Sequence, residues 1–208
     1  MKKPIPAGES ERLESLWSGE FGDAYVGRNQ SAGKGRMAFW EAILEPFAAE
    51  RVLEVGCNVG GNLTWIAQLV SPGGVFGVDV NLKSLKQLAS SRPRVGAVRA
   101  RARELPFRDL EFDLAFTMGV LIHLPPDDLP RVMAEILRCS RRYVLCGEYH
   151  APEPVEVRYR GQSRALFKRD FGGLYESLFP ELRLRNRGFL SRAEGWDDVT
   201  YWLFERTE

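Results

Sequence analysis

The stretch "VLEVGCNVGGNL", Val52 to Leu63, sets a short apolar run against a loop of alternating glycines. Beyond it Leu63, Ile66, Ala67 and Val70 recur at helical spacing. A strand that ends in a glycine-rich turn and opens a helix is the place where a doubly wound sheet lets backbone approach a ligand closely. Glu54, Gly56, Cys57, Asn58 and Gly60 are therefore candidate binding residues, with Gly56 and Gly60 as the close-approach positions. Asn58 stands where a dinucleotide fingerprint has its middle glycine. A pyrophosphate needs a glycine-lined approach at the helix N-terminus, so the substitution argues for a nucleoside cofactor without phosphates.

Working outward, "GVFGVDVN" places Asp79, with Val80 beside it, at the end of a second predicted strand. A carboxylate there can accept hydrogen bonds from both ribose hydroxyls of a nucleoside. It could equally cap a helix running from Leu82, and the two roles could coexist. Apolar runs and helical patterns go on alternating through "FDLAFTM", "DDLPRVMAEILRCS" and "RYVLCGE", the helical stretch carrying Leu129, Val132, Met133, Ile136 and Leu137 on one face. Such βαβα order implies a parallel sheet covered by helices on both faces. After Pro152 and Pro154 the chain turns arginine-rich and ends in two β-like runs, "LRLRNRGFLSR" and "DVTYWLFERT", joined around Glu194-Gly195. An antiparallel hairpin is the simplest account. At the other end, helical spacing at Met37, Trp40, Leu44 and Phe47 follows the polar loop "NQSAGKG".

These readings predict one α/β domain over 1–208, built on a Rossmann-like, doubly wound, mostly parallel seven-stranded sheet. A helical N-terminal cap over 1–48 would act as a lid, 49–150 would form the cofactor-binding core, and 151–208 would supply the acceptor-binding segment and terminal hairpin. With 29 basic and 28 acidic residues, the chain lacks the broad basic footprint of a nucleic-acid binder. Its three cysteines show no CxxC spacing, so neither a disulfide framework nor a metal site is expected. No apolar run reaches the length of a membrane span. A cytoplasmic monomer or homodimer, with neither nucleic acid nor membrane as partner, fits best.

The pattern Glu54-x-Gly56-x-Asn58-x-Gly60, with Asp79 downstream, resembles motif I and its acidic partner in class I S-adenosylmethionine-dependent methyltransferases. "ARELPFRDLEFDLAF" resembles that family's adenine-contacting segment and fourth strand, which implies Ala102 and Arg103 at the adenine edge. "MGVLIHLPPDDL" resembles the loop after that strand, which implies Met118 against the cofactor and acceptor-facing groups beyond it. The resemblance spans roughly residues 50–150. Three further stretches, "WSGEFGDAYVGRN", "YRGQSRALFKRDFGGLY" and "GWDDVTYWLFER", look like the methylases associated with pseudaminic acid biosynthesis. That resemblance covers nearly the whole chain and implies a small-molecule methyltransferase using S-adenosylmethionine, with an acidic sugar or another acid as acceptor.

Methyl transfer to a neutral hydroxyl needs a base, whereas an anionic oxygen needs orientation and charge pairing. His123, just beyond the fourth strand, is the candidate base, and its other reading is a capping or structural histidine before "LPPDD". Tyr25 is the second catalytic candidate. With Tyr25, Arg28 and Asn29 precede the glycine-flanked loop and could close over the cofactor or acceptor; His150 lies on the same sheet edge as His123. Arg160, Lys168 and Arg169 suit an anionic acceptor, unless they form a solvated face in which Asp170 pairs with one of them. Trp17 and Phe21, at i and i+4, read as packing residues. The expected reaction is O-methylation of a small anionic metabolite. N- or C-methylation and NAD-dependent oxidation, for which Asp79 would also serve, are the alternatives, although "TMGV" stands where amine-methylating enzymes carry an "NPPY"-type tetrapeptide.

Overall fold

Every residue of β1 (Val52–Val55) is buried, as are almost all of β4 (Phe112–Met118) and β5 (Ser140–Glu148), which is what a strand covered on both faces requires. A computed structural model of the chain describes residues 8–28 and 36–207. Asn29, one of the predicted acceptor residues, lies outside them. Three helices come first, α1 (Glu9–Ser18), α2 (Glu20–Arg28) and α3 (Arg36–Leu44). β1 then leads to α4 (Leu63–Leu69), β2 (Val75–Asp79), α5 (Leu82–Ser91), β3 (Gly96–Arg99), β4, α6 (Leu129–Cys139) and β5. A small hairpin, β6 (Val155–Glu156) with β7 (Phe167–Lys168), precedes α7 (Phe171–Leu178), β8 (Leu182–Leu190) and β9 (Val199–Arg206).

Seven strands form one sheet in the order β3-β2-β1-β4-β5-β9-β8. The first five pair in parallel and β9 joins antiparallel to both β5 and β8, as the terminal runs predict. Sequence periodicity did not single out β3, whose four residues are only partly buried at the sheet edge. It also missed the β6–β7 hairpin and α7, in a segment read only as a site of charged residues.

Period two decides which helices cover which face. Val52 with Leu114, Phe116 and Leu145 packs against Trp40, Ile43, Leu63, Ile66 and Leu88 from α3, α4 and α5. Leu53 and Val55 with Ala115, Val144 and Cys146 pack against Val132, Met133, Ile136, Phe171 and Tyr175 from α6 and α7. The strand order reverses between the parallel neighbours β1 and β4, so the crevice outside their C-terminal ends is the topological switch point where such sheets bind ligands. Helices α1 and α2 lie over that crevice. Asn81 Nδ2 donates to the Trp17 carbonyl at 3.1 Å and to Asp23 Oδ1 at 2.9 Å, and Glu14 pairs with Arg101 and Arg103 at 3.1 and 3.3 Å. No helix among the described residues is long and apolar enough to cross a membrane.

Candidate active site

A cavity of about 250 Å³ opens at the switch point, and its wall takes residues from the strand-end loops and from the segments that cover them. The first loop has left-handed backbone at three alternating positions, Gly56 at φ 77°, Asn58 at 49° and Gly60 at 76°. Asparagine is one of the few side chains that tolerates that region, so Asn58 replaces the middle glycine without changing the path of the loop. At Gly56 a Cβ would lie 2.4 Å from a Val120 methyl, so only glycine lets the loops after β1 and β4 meet. Gly60 makes its close approach to Leu88 of α5 and is absent from the cavity wall, where Gly61 appears instead.

Asp79 holds this loop in place. One carboxylate oxygen accepts the Asn58 N–H and the other the Asn81 N–H, both at 2.8 Å. Burial pushes Asp79 upward, and those amide bonds pull it back toward the charged form. The cap of α5 is Asn81, whose side chain accepts the Ser84 N–H, and not Asp79. Four lone-pair directions on a carboxylate leave room for a ligand beside two amides.

Glu54 is wholly buried on the α3–α4 side of β1. Its Oε1 accepts from Asn62 Nδ2 at 2.6 Å, while Oε2 has no partner among the described residues. Loss of solvation pushes its carboxyl up to about 8, with Asn62 and Arg36 acting in the opposite sense. Arg36 completes the arrangement: it donates to Asn62 Oδ1 at 3.1 Å and to the Gly195 carbonyl, and stands over the Trp196 ring at 4.5 Å. Sequence reading missed Arg36, since the polar run before it looked like an ordinary loop. It also missed Glu148, the buried last residue of β5, whose two oxygens accept the N–H groups of Val120, Leu121 and Ile122 at 3.0–3.3 Å. Burial brings that carboxyl up to about 7 against those donors. Glu148 thereby fixes the 3₁₀ turn at Leu121–His123.

His123 forms part of the cavity wall, with its ring 4.4 Å from that of Trp17 and 5.1 Å from that of Tyr159. Its Nδ1 lies 2.6 Å from the Ala165 carbonyl oxygen. A carbonyl only accepts, so Nδ1 carries the proton and Nε2 keeps a lone pair. Burial brings the imidazole down to about 4, so it is neutral at physiological pH. Tyr25 also lines the cavity, its phenol pushed well above the usual range by burial and by neighbouring Tyr159 and Asp197. Trp17, read from the sequence as packing, packs on His123 and faces the cavity as well.

Of the remaining predicted residues, Cys57, Val80, Ala102, Arg103 and Met118 lie in the wall. Arg28, His150, Arg160, Lys168 and Arg169 do not. His150 packs on Trp202 at 5.8 Å. Arg169 stacks over Phe171 at 6.0 Å, and its buried Nε has no partner among the described residues. Each of the other three cations stands over a tyrosine of the wall: Arg28 over Tyr25 at 5.7 Å, Arg160 over Tyr159 at 5.7 Å and Lys168 over Tyr149 at 5.6 Å. None of these three makes an ion pair among the described residues. Asp170, the pairing partner considered from the sequence, instead accepts the Gly173 N–H and caps α7.

Residues 52–142 match the family model described as a methyltransferase domain. Over 96 residues the chain is 32% identical to the phthiotriol/phenolphthiotriol dimycocerosates methyltransferase 1 of Mycobacterium ulcerans, which covers 45% of this chain and 35% of that protein. It is 31% identical over 124 residues to the O-methyltransferase resE of Aspergillus sclerotiorum, covering 54% of this chain and 46% of the relative. The chain thus spans between a third and a half of the length of these curated relatives. Its fold is that of a solved 1,6-didemethyltoxoflavin-N1-methyltransferase from Burkholderia thailandensis holding 1,6-didemethyltoxoflavin and S-adenosylhomocysteine. The two superpose with a TM-score of 0.73 at 19% identity, over 100% of this chain and 94% of that one. The core has a Rossmann-like fold, and residues 52–142 within it are similar to a methyltransferase domain.

Proposed function

We propose that the protein transfers a methyl group from S-adenosylmethionine to an oxygen of a small anionic metabolite bearing a carboxylate, phosphate or acidic sugar. The observation that carries the reading is one cavity wall holding both a buried carboxyl group, Glu54, with an oxygen unpartnered among the described residues, and a neutral imidazole, His123, whose Nδ1 is held by a carbonyl. The residues fit the cofactor. Glu54 Oε2, without a partner among the described residues, would meet the methionine ammonium once the carboxyl is ionised, Asp79 has lone pairs left for ribose hydroxyls, and Ala102, Arg103 and Val80 of the wall would hold the adenine. Two carboxylates beside the glycine loop oppose a pyrophosphate and suit a cationic sulfonium. When bound, S-adenosylmethionine supplies an electrophilic methyl group.

The chain's own part is positioning and proton handling. Trp17, Tyr25 and Tyr159 cover the cavity and keep water from competing as acceptor. His123 Nε2 accepts the hydrogen bond of an acceptor hydroxyl and takes its proton as the oxygen is alkylated. Arg28, Arg160 and Lys168, each over a tyrosine of the wall and without an ion pair among the described residues, would attract the acceptor's anionic group toward the cavity. Met118, also in the wall, would pack against the cofactor. The matched relatives include a named O-methyltransferase, which adds weight to a small-molecule acceptor. The narrower sequence resemblance favours an acidic sugar among the candidates. With three buried free thiols, the reading places the reaction in the cytoplasm, in a monomer or homodimer, with neither nucleic acid nor membrane as partner.

A second reading, methylation at nitrogen, is favoured by Asp197, a carboxylate in the cavity wall without an ion pair among the described residues. Incubation with 13C-methyl-labelled cofactor and a panel of hydroxy acids, sugar acids and amines separates the two, since O-methyl and N-methyl carbons resonate apart. Turnover of neutral alcohols as fast as that of their acidic counterparts would remove the anionic acceptor.

A further inference from the structure

The lid helix and the candidate base meet through a third element. Ala165, whose carbonyl lies 2.6 Å from His123 Nδ1, belongs to the connection between β6 and β7. That connection is gripped by α1. Arg12 donates to the Arg164 carbonyl at 2.8 Å while its guanidinium pairs with Glu9 at 2.7 Å, and Glu9 in turn reaches the Arg164 guanidinium at 3.4 Å. Beneath these polar contacts Leu13 packs with Ala165 and Phe167 in a small buried cluster of its own. One turn further along α1, Trp17 packs against the His123 ring, with centroids 4.4 Å apart and the planes tilted by 53°. A single helix therefore fixes both the ring plane and the carbonyl that holds the Nδ1 proton.

We propose that Arg12 and Glu9 are positioning residues, which hold the Ala165 carbonyl against His123 and so fix the imidazole as the Nδ1–H tautomer, with Nε2 free toward the acceptor. Docking of the lid and competence of the base are then one event. Which nitrogen of a neutral imidazole keeps its proton is set by the bond the other makes, so a carbonyl that drifts away releases the choice. In the Nε2–H form the ring would present a donor to the acceptor hydroxyl and could not take its proton. The inference rests on His123 being the base of the proposed reaction, yet the tautomer is observable without any reaction.

The chain has two histidines, so 15N-histidine labelling with long-range proton–nitrogen correlation resolves both rings, and His150 serves as the internal reference. The unsubstituted protein should show the Nδ1–H pattern for His123. Arg12→Ala and Glu9→Gln should each move it toward a mixture of tautomers, leave His150 unshifted, and lower kcat by about tenfold, a part of the hundredfold or more that a positioned base contributes. KM for the cofactor should stay within about twofold, because neither residue lines the cavity. Arg12→Lys, which keeps one donor for the Arg164 carbonyl, should fall between. The fold of each variant is checked by its melting temperature and by cofactor titration. A folded Arg12→Ala protein with an unshifted His123 pattern would overturn the proposal, as would an Nε2–H pattern in the unsubstituted protein. Failure of methyl transfer with every acceptor, despite an intact Nδ1–H pattern that responds to Arg12→Ala, would instead count against the proposed reaction and leave the tautomer device standing.

Discussion

The strand-end side of the cavity and its covering side are assembled in opposite ways. Glu54, Gly56, Asn58 and Asp79 all come from one strand–loop–helix–strand unit, and main-chain groups do much of the work: amides anchor Asp79, and left-handed turns shape the loop. The covering side gathers Trp17, His123, Tyr149, Tyr159 and Asp197 from segments far apart in the chain, and it works through side chains. The two buried glutamates divide along a related line. Glu148 is satisfied by three amides and holds a turn, whereas Glu54 keeps an oxygen beside the cavity that has no partner among the described residues. A buried acceptor left open is costly unless a ligand completes it, so the difference supports the proposal that Glu54 binds the cofactor while Glu148 holds the turn.

Substitutions can break this division of labour. Asp79→Ala should have the largest effect, lowering cofactor affinity about a hundredfold or more in calorimetry. It removes the acceptor of two backbone N–H groups as well as a ligand contact, each charge-assisted bond being worth about 1.5–3 kcal/mol. Unchanged affinity would dissolve the assignment of the strand-end side to the cofactor. His123→Ala should lower kcat about a hundredfold while cofactor affinity holds, and equal losses in both would mean that the two sides are not separable.

Charge reversal at Arg160 or Lys168 should raise acceptor KM about tenfold and leave cofactor KM within about twofold. An equal rise in both would place these cations on the wrong side of the comparison. The smallest effect concerns Glu54. Its carboxyl is raised to about 8, so the free protein holds that proton at neutral pH, and cofactor affinity should climb as pH rises toward 8 and level off above it. For stability the sign is opposite: the folded state binds a proton that the unfolded chain has released above its ordinary value, so folding weakens as pH rises from about 4.5 to about 8. Glu54→Gln should therefore melt a few degrees higher than the parent at pH 9, with the pH slope of cofactor affinity gone. A lower melting point would show that the buried charge is better paired than its geometry implies.

Much of the strand-end side was legible in the sequence, because its signals are local. Apolar runs broken by glycines, a helix opening after the loop and an acid at the next strand end all lie within short windows. Asn58 was legible only in part: it read as a missing glycine, and its positive φ shows an asparagine doing a glycine's conformational work. Arg36 and Glu148 carried no local signal. Arg36 follows a polar loop, and Glu148 ends a run that reads simply as a strand, while its donors come from residues 120–122.

The sequence by itself determined the alternation of strands and helices, the reversed terminal pair, the glycine loop and the acid that anchors it, since each depends on periodicity or turn chemistry among neighbouring residues. Tertiary structure alone decided which cations stand over which tyrosines, that His123 bonds a carbonyl of the β6–β7 connection, and that one buried glutamate is saturated while the other keeps an oxygen without a partner among the described residues. Those outcomes depend on side-chain direction and on contacts between segments that only the closed sheet and docked lid bring together.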